Sequence, residues 1–187
     1  MLYILEHLEP KLYKWCYLEY QHISKIVGKE NLLFTNIKTS SQRKKLKALG
    51  KVEKRSIKEF SFSNACILDP FAPKTLTPQD YFTTFIFGGI LGDYPMQART
   101  KKELTSKLPY PSRNIGKEQM PTDNAFYVVK EIVEHNKTMQ DLHFQDQLLI
   151  PIKEGEEIIM PFRYVMVKGH PLLSPTLLHH LKTKKGF

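Results

Sequence analysis

The sequence predicts an α/β domain built on a mostly parallel sheet, and three observations carry that prediction. Short apolar runs, LYILE at 2–6, NLLFT at 31–35 and ACILD at 65–69, have the length and character of buried strands. Segments with apolar residues at helical spacing separate the first of them, giving the β-α-β-α order of a parallel sheet. A further run, FIFGGILGDYP at 85–95, ends abruptly in three glycines. In an open parallel sheet, that is where ligands meet the carboxyl edge.

The elements follow in order. From Pro10 to Val27, Leu12, Trp15, Cys16, Ile23, Ile26 and Val27 form one helical stripe, with Pro10 suited to the start and Gly28 to the end. That register assigns Trp15 to the core. After the second strand, Ser40 or Ser41 caps a basic helix with Leu46 and Leu49 inward, stopping near Gly50. A short strand is expected within 56–62, and the strand 65–69 is ended by Pro70 and Pro73. Residues 98–107 suit a short helix, and 108–121, with three prolines, must be loop. Thr122 and Asp123 then cap a helix turning Ala125, Phe126, Val128, Val129, Ile132 and Val133 to the core. Residues 148–152 and 157–167 flank the turn signal KEGE as a strand pair. From Gly169 the Pro- and Lys-rich end reads as extended or mobile. One domain over 1–168 and a basic C-terminal tail over 169–187 are therefore expected.

Composition narrows the function classes. At 187 residues the chain can bury a core without disulfides or metals. No apolar stretch approaches the roughly 20 residues that cross a bilayer, so no membrane partner is expected. The start, MLYILEHLEP, lacks the basic flank and apolar core of a secretory signal. Cys16 and Cys66 stand in apolar contexts without a CxxC pattern, which favours reduced, buried thiols and a cytoplasmic location. No metal site is expected, because His179-His180 has no companions at ligand spacing. The net charge of +9 is concentrated: Arg43, Lys44, Lys45, Lys47, Lys51, Lys54, Arg55 and Lys58 face the single acid Glu53, and Lys182, Lys184 and Lys185 lie near the end. The 43–58 segment is either a polyanion contact or a solvated face.

The glycine loop lacks the Gly-Lys-Ser/Thr ending of a phosphate loop, and GGILG has neither the spacing nor the early position of a dinucleotide fingerprint. Taken alone, the glycines either make a tight turn or admit main-chain groups to a ligand. Other stretches add to them. Ile67-Leu68-Asp69-Pro70, then Gly88–Pro95, then Arg113-Asn114-Ile115-Gly116 with Gln119-Met120-Pro121-Thr122-Asp123-Asn124-Ala125 form an ordered set. That set resembles the three carboxy-terminal motifs of the SPOUT methyltransferases, the knotted class that uses S-adenosyl-L-methionine. With ILEHLEP at 4–10, LEY at 18–20 and Arg99-Thr100, the chain looks like one SPOUT branch from Met1 to about Val167. The branch contains the eukaryotic enzyme that methylates an arginine of a small-subunit ribosomal protein, and archaeal relatives long labelled RNA methyltransferases.

The resemblance implies a three-layer α/β sandwich with a deep C-terminal trefoil knot. It implies a methyltransferase acting on an arginine of a small-subunit ribosomal protein, with RNA as the alternative acceptor, as a monomer or homodimer. Carried over by resemblance, the cofactor contacts are Leu68, Gly88, Gly89, Ile90, Leu91, Gly92, Asn114, Ile115, Gln119, Met120, Thr122 and Ala125; for Ile115 and Met120, plain core packing is the alternative. A guanidinium is always charged, so carboxylates must pin it and take a proton late in the reaction. Asp93 leads as the catalytic acid, with Glu6 and Glu9 at the end of the first strand as further candidates. His7, Arg99 and Asp123 are candidates for binding substrate, or, for Arg99, the cofactor carboxylate. Asp69 is assigned to its own turn.

Overall fold

The computed structural model describes residues 1–153 and 155–183. Glu154 of the KEGE turn, and Lys184 and Lys185 of the basic terminus, lie outside the described residues. Among those residues, six strands form one parallel sheet in the order β3-β2-β1-β5-β4-β6. They are β1 (Leu2–His7), β2 (Leu32–Thr35), β3 (Lys51–Val52), β4 (Ala65–Leu68), β5 (Thr84–Gly89) and β6 (Ser112–Arg113). The central strands are apolar throughout because both faces are covered, and successive side chains leave a strand on opposite faces. Tyr3 and Leu5 of β1 and Phe85 and Phe87 of β5 face the helices α1 (Lys14–Val27) and α3 (Thr122–His135). The Phe87 and Phe126 rings stack there with centroids 3.8 Å apart. Ile4, Ile67 and Ile86 point the other way, onto Ile57 and Leu104.

A second unit of core lies beside this sheet. β7 (Phe144–Lys153) and β8 (Glu156–Val167) form an antiparallel hairpin, and β9 (His170–Pro171) adds to β8. Leu148 and Ile150 of β7 and Met160 and Tyr164 of β8 close on Leu18 of α1 and on Leu177 and Leu181 of a C-terminal helix.

Several expectations are corrected. The segment from Gly169, expected extended or mobile, contains that helix over Pro175–Thr183; Pro175 suits its first turn, and Leu177 and Leu181 are one turn apart on its buried side. Helix α1 begins at Lys14 rather than at Pro10, because 10–13 is spent turning out of β1. No strand forms within 56–62: Ser56 and Glu59 make a capping box around the 3₁₀ turn Ile57–Glu59. The basic helix α2 (Ser40–Leu46) ends earlier than expected, which leaves 51–52 as the unforeseen edge strand β3. Residues 101–105 make a single π-helical turn. Both cysteines are free and buried. Among the described residues no helix is long and apolar enough to cross a membrane.

Candidate active site

Parallel strands leave their last carbonyls and the following loops at one edge, and a solvent-open cleft with a cavity volume of about 120 Å³ lies there. Its walls are Leu68 at the end of β4 and Asp69–Phe71 after it, Gly88 near the end of β5 and Ile90–Asp93 after it, and Ile115, Gly116, Glu118, Gln119, Met120, Thr122 and Ala125 on the way into or within α3; Met96, Arg99 and Thr100 close the rim. Residues of the glycine loop, Gly88 and Ile90–Asp93, and of the later stretch from Ile115 to Thr122, separate in sequence, thus line one cavity. Of the twelve residues carried over as cofactor contacts, Gly89 and Asn114 do not line it.

Those two have other work. A Cβ on Gly89 would stand 2.5 Å from both Leu5 Cδ2 and the Tyr20 hydroxyl, so this glycine exists for close packing of β5 on β1 and α1. Asn114 binds the connection between β4 and β5. Its N–H donates to the Lys74 carbonyl (2.8 Å), its carbonyl accepts from the Leu76 N–H (2.8 Å), and its Nδ2 donates to the Ala72 carbonyl (2.9 Å). Bidentate Arg113 to Asp80 Oδ1 (3.0 and 2.7 Å) fastens the same connection to β6. Asp69 holds its own turn, accepting from the Phe71 N–H at 2.9 Å. A Cβ on Gly92, in contrast, would overlap the Gln119 amide and come within 2.8 Å of the Phe162 ring, so bare backbone is required inside the cleft wall.

The acids separate sharply. Asp93 lines the cleft, 46% exposed, with Oδ2 3.8 Å from Arg99 Nη1. Glu9 is buried behind the loop: its Oε1 accepts from the Leu91 N–H and from Arg99 Nη1, both at 2.9 Å. The Leu91 N–H and part of the Arg99 fork therefore serve the loop rather than a ligand. Glu6, expected near the reaction, faces the opposite layer; it accepts from the Ser56 hydroxyl (2.6 Å), the Ile57 N–H (2.9 Å) and the Thr35 hydroxyl (2.5 Å). The period of two along β1 sends it there, with Ile4, while Leu5 and His7 go the other way. Asp123 is also buried, with Oδ2 on His22 Nδ1 (2.7 Å) and Oδ1 on the Asn124 N–H (2.8 Å). It joins the first turn of α3 to α1 and, like His7, lines no cleft among the described residues. His7 Nδ1 shares a hydrogen bond with the Tyr20 hydroxyl at 2.9 Å; burial lowers its pKa, an effect that nearby Glu9 only partly offsets, so the ring is held neutral.

A second cleft, with a cavity volume of about 310 Å³, shares Ile90–Gly92, Gln119, Met120 and Thr122 with the first. Its far side is Trp15 and Glu19 of α1 with Ile159, Met160, Pro161 and Phe162 of β8. Trp15, expected in the core, is half-buried here and donates from Nε1 to Glu19 Oε1 at 3.1 Å. Glu19 is 5% exposed; burial, reinforced by the charge of Asp123, pushes its carboxyl up to about 8. Sequence reasoning assigned no role to Glu19 or Phe162. The signal for Glu19 was present: it stands between Cys16 and Ile23 on the apolar stripe of α1, where a carboxylate is out of place.

Similarity to known proteins runs over nearly the whole chain. The family model described as protein arginine N-methyltransferase SFM1-like matches residues 2–186. Protein arginine N-methyltransferase SFM1 of Saccharomyces cerevisiae is 34% identical, over 97% of this chain and 94% of that one. The crystal structure of the yeast arginine methyltransferase SFM1 complexed with SAH superposes with a TM-score of 0.89 at 33% identity, over 97% of this chain and 94% of that one. The complex of the same enzyme with SAM gives a TM-score of 0.88 at 34% identity, over 97% and 89%. A Trm10 of Thermococcus kodakaraensis, 16% identical over 75% of this chain and 96% of that one, shares the fold with a TM-score of 0.58.

Proposed function

This chain belongs to the SFM1-like family of protein arginine N-methyltransferases and is an S-adenosylmethionine-dependent methyltransferase; we propose that it acts in the cytoplasm on an arginine of a small-subunit ribosomal protein. The observation that carries the reading is the meeting of the post-β4 turn, the glycine loop and the entry to α3 around one cleft at the carboxyl edge of the sheet. When bound, S-adenosylmethionine supplies an electrophilic methyl group on sulfur. The chain's part is to bind and orient it and to keep water out.

The lining fits that task. Leu68, Ile90, Ile115, Met120 and Ala125 offer apolar walls to a flat base, and Gly88 and Gly92 leave peptide groups open to it. Gln119 and Thr122 add side-chain hydrogen-bonding groups, and Arg99 and Asp93 at the rim offer opposite charges to an amino-acid moiety carrying both. Gly89 and Asn114 support this site from behind. The trefoil threading belongs to the same proposal, and the tight bonding of Asn114 into the 69–83 connection supports it, since chain on its way to α3 is gripped by an earlier loop.

Calorimetry of the purified chain with S-adenosylhomocysteine, and mass spectrometry of ribosomal proteins from a deletion strain, test the reading. A one-methyl loss on one small-subunit protein is expected. An unchanged spectrum overturns the acceptor.

A second reading, RNA as the acceptor, draws on the basic segment 43–58. That segment lies on α2, β3 and the 3₁₀ turn, at the sheet edge; β2 and β1 stand between β3 and β5, a separation of roughly 14 Å at ordinary strand spacing. Arg43 is occupied with the Ile37 and Lys38 carbonyls (2.9 and 2.7 Å), and Arg55 lies over the Phe60 ring. This surface better suits a polyanion contact beside a protein acceptor. Tritium transfer to purified RNA, abolished by ribonuclease, would favour RNA instead.

A further inference from the structure

We propose that the second cleft receives the acceptor arginine, and that Glu19 is the residue that holds its guanidinium and takes up the proton it releases. The inference rests on the methyltransferase reading and deepens it.

Position comes first. A methyl group can reach its acceptor only across a shared wall, and the two clefts share Ile90–Gly92, Gln119, Met120 and Thr122. Glu19 is the acid lining the second cleft. Trp15 Nε1 orients its Oε1 at 3.1 Å, and the Thr122 hydroxyl of the shared wall also hydrogen-bonds the carboxylate. A carboxylate has about four lone-pair sites, so capacity remains for a two-pronged guanidinium. The faces of Trp15 and Phe162 suit a flat, delocalised cation, and Ile159, Met160 and Pro161 keep the surroundings apolar.

Elimination points the same way. Glu9 is committed to Leu91 and Arg99, Glu6 to three donors in the opposite layer, and Asp123 to His22 and Asn124. Asp93 is half in solvent and faces Arg99, Asp69 is committed to the Phe71 N–H and the Thr105 hydroxyl, and Glu118 lines the first cleft but not the second. Among the described residues no cation pairs with Glu19, and a buried carboxylate without one is costly unless protonated or met by a charge from outside.

The groups around Glu19 leave that charge to the substrate. Asp123 faces it from α3, paired with His22 of α1. Cys16 and Tyr20 of α1 and Tyr164 of β8 are all held neutral by burial, the Cys16 thiol being pushed up to about 12. Glu9 adds a more distant negative charge on the Cys16 and Tyr20 side. Arrival of an arginine therefore expels the Glu19 proton and leaves a base in contact with the guanidinium. In transfer, one Nη lone pair forms the new N–C bond, the electron pair of the breaking methyl–sulfur bond stays on sulfur, and the displaced Nη proton passes to a Glu19 oxygen.

The test uses the full chain, whose single tryptophan is Trp15. With saturating S-adenosylhomocysteine, arginine amide is titrated while Trp15 fluorescence is followed, with citrulline amide as the uncharged isostere. Calorimetry measures S-adenosylhomocysteine itself on wild type, Glu19→Gln and Glu19→Asp. Expected are a saturable response to arginine amide only, at least a tenfold weaker response in Glu19→Gln, partial recovery in Glu19→Asp, and the same S-adenosylhomocysteine affinity in all three. Methyl transfer should fall at least a hundredfold in Glu19→Gln. Should Glu19→Gln fail to fold, Glu19→Asp and the citrulline control carry the test. A response indifferent to charge, or undiminished transfer in Glu19→Gln, overturns the inference while leaving the methyltransferase standing. Absence of S-adenosylhomocysteine binding in wild type overturns the reading beneath it.

Discussion

Replacing Gly89 with alanine separates a packing glycine from a ligand-contacting one. The added methyl carbon would lie 2.5 Å from Leu5 Cδ2, 2.5 Å from the Tyr20 hydroxyl and 3.1 Å from the Glu6 carbonyl oxygen. Comfortable carbon contacts begin near 3.5 Å, so roughly 1 Å must be opened against Leu5 and Tyr20, which are fully buried. Overpacking of this kind costs about 1–3 kcal/mol. Displacing the Tyr20 hydroxyl from His7 Nδ1, now at 2.9 Å, adds about 1 kcal/mol. For a chain of this size the sum lowers Tm by roughly 5–15 °C. The assay is paired: thermal unfolding, and calorimetric affinity for S-adenosylhomocysteine below the transition. Lower Tm with unchanged affinity is expected, and Gly89→Ala combined with Tyr20→Phe should lose less than the sum of the two single changes. Unchanged Tm with lost affinity would refute the reasoning and return Gly89 to the ligand.

Gly92→Ala should do the reverse, costing only about 1 kcal/mol of stability because the Gln119 amide and the half-buried Phe162 ring can both give way, yet weakening S-adenosylhomocysteine about tenfold by calorimetry as the shared wall thickens. Glu6→Gln replaces an acceptor of three donors by a group that accepts at one atom only, costing about 1–3 kcal/mol in urea unfolding while leaving ligand affinity intact. For Asp80, burial works upward, but hydrogen bonds from Arg113 and Thr77 outweigh it and lower the pKa. The stabilisation is therefore present above the unfolded-state value near 3.9 and lost as pH falls through the depressed one, so the gap in urea midpoint between wild type and Asp80→Asn should close in acid. Glu19 has the opposite sign: its raised pKa means stability present below the unfolded value and lost as pH climbs toward 8, so Glu19→Gln should gain on wild type in thermal unfolding between about pH 5 and pH 9.

The sheet was legible where physics writes most strongly. β1, β2, β4 and β5 are buried on both faces, so their sequences are continuous apolar runs. Helix α3 announces itself by an apolar stripe behind a polar entry. The C-terminal helix was hidden because prolines and lysines around 169–185 outweighed the spacing of Leu177, Leu178 and Leu181. The strand sought within 56–62 lost to a competitor out of sequence view: Glu6, some fifty residues earlier, captures the Ile57 N–H. Most residues singled out in the glycine loop and in the stretch 113–125 line the first cleft, because both follow parallel strands at the same edge. The choice of acids failed at Glu6 for a reason the sequence does contain, since alternation along β1 places Glu6 with Ile4 rather than with His7.

The partition of carboxylates gives the site its logic. Glu9 and Asp123, buried beside the clefts, hold fixed structure, through Arg99 and the Leu91 N–H in one case and through His22 and Asn124 in the other. Glu6 does the same one layer away. Glu19 alone among these four is met by neutral side chains, Trp15 and Thr122, in place of a cation or a backbone amide. An apolar wall tolerates such a group as the neutral acid, or as the anion once a permanent cation settles against it. A lysine ammonium, compact and strongly hydrated, would have to shed its water into that wall, whereas a guanidinium is flat, weakly hydrated and forked to match a carboxylate. Selection of arginine then needs no additional recognition element at the reacting end: desolvation cost rejects the other cation, and lack of charge rejects neutral side chains.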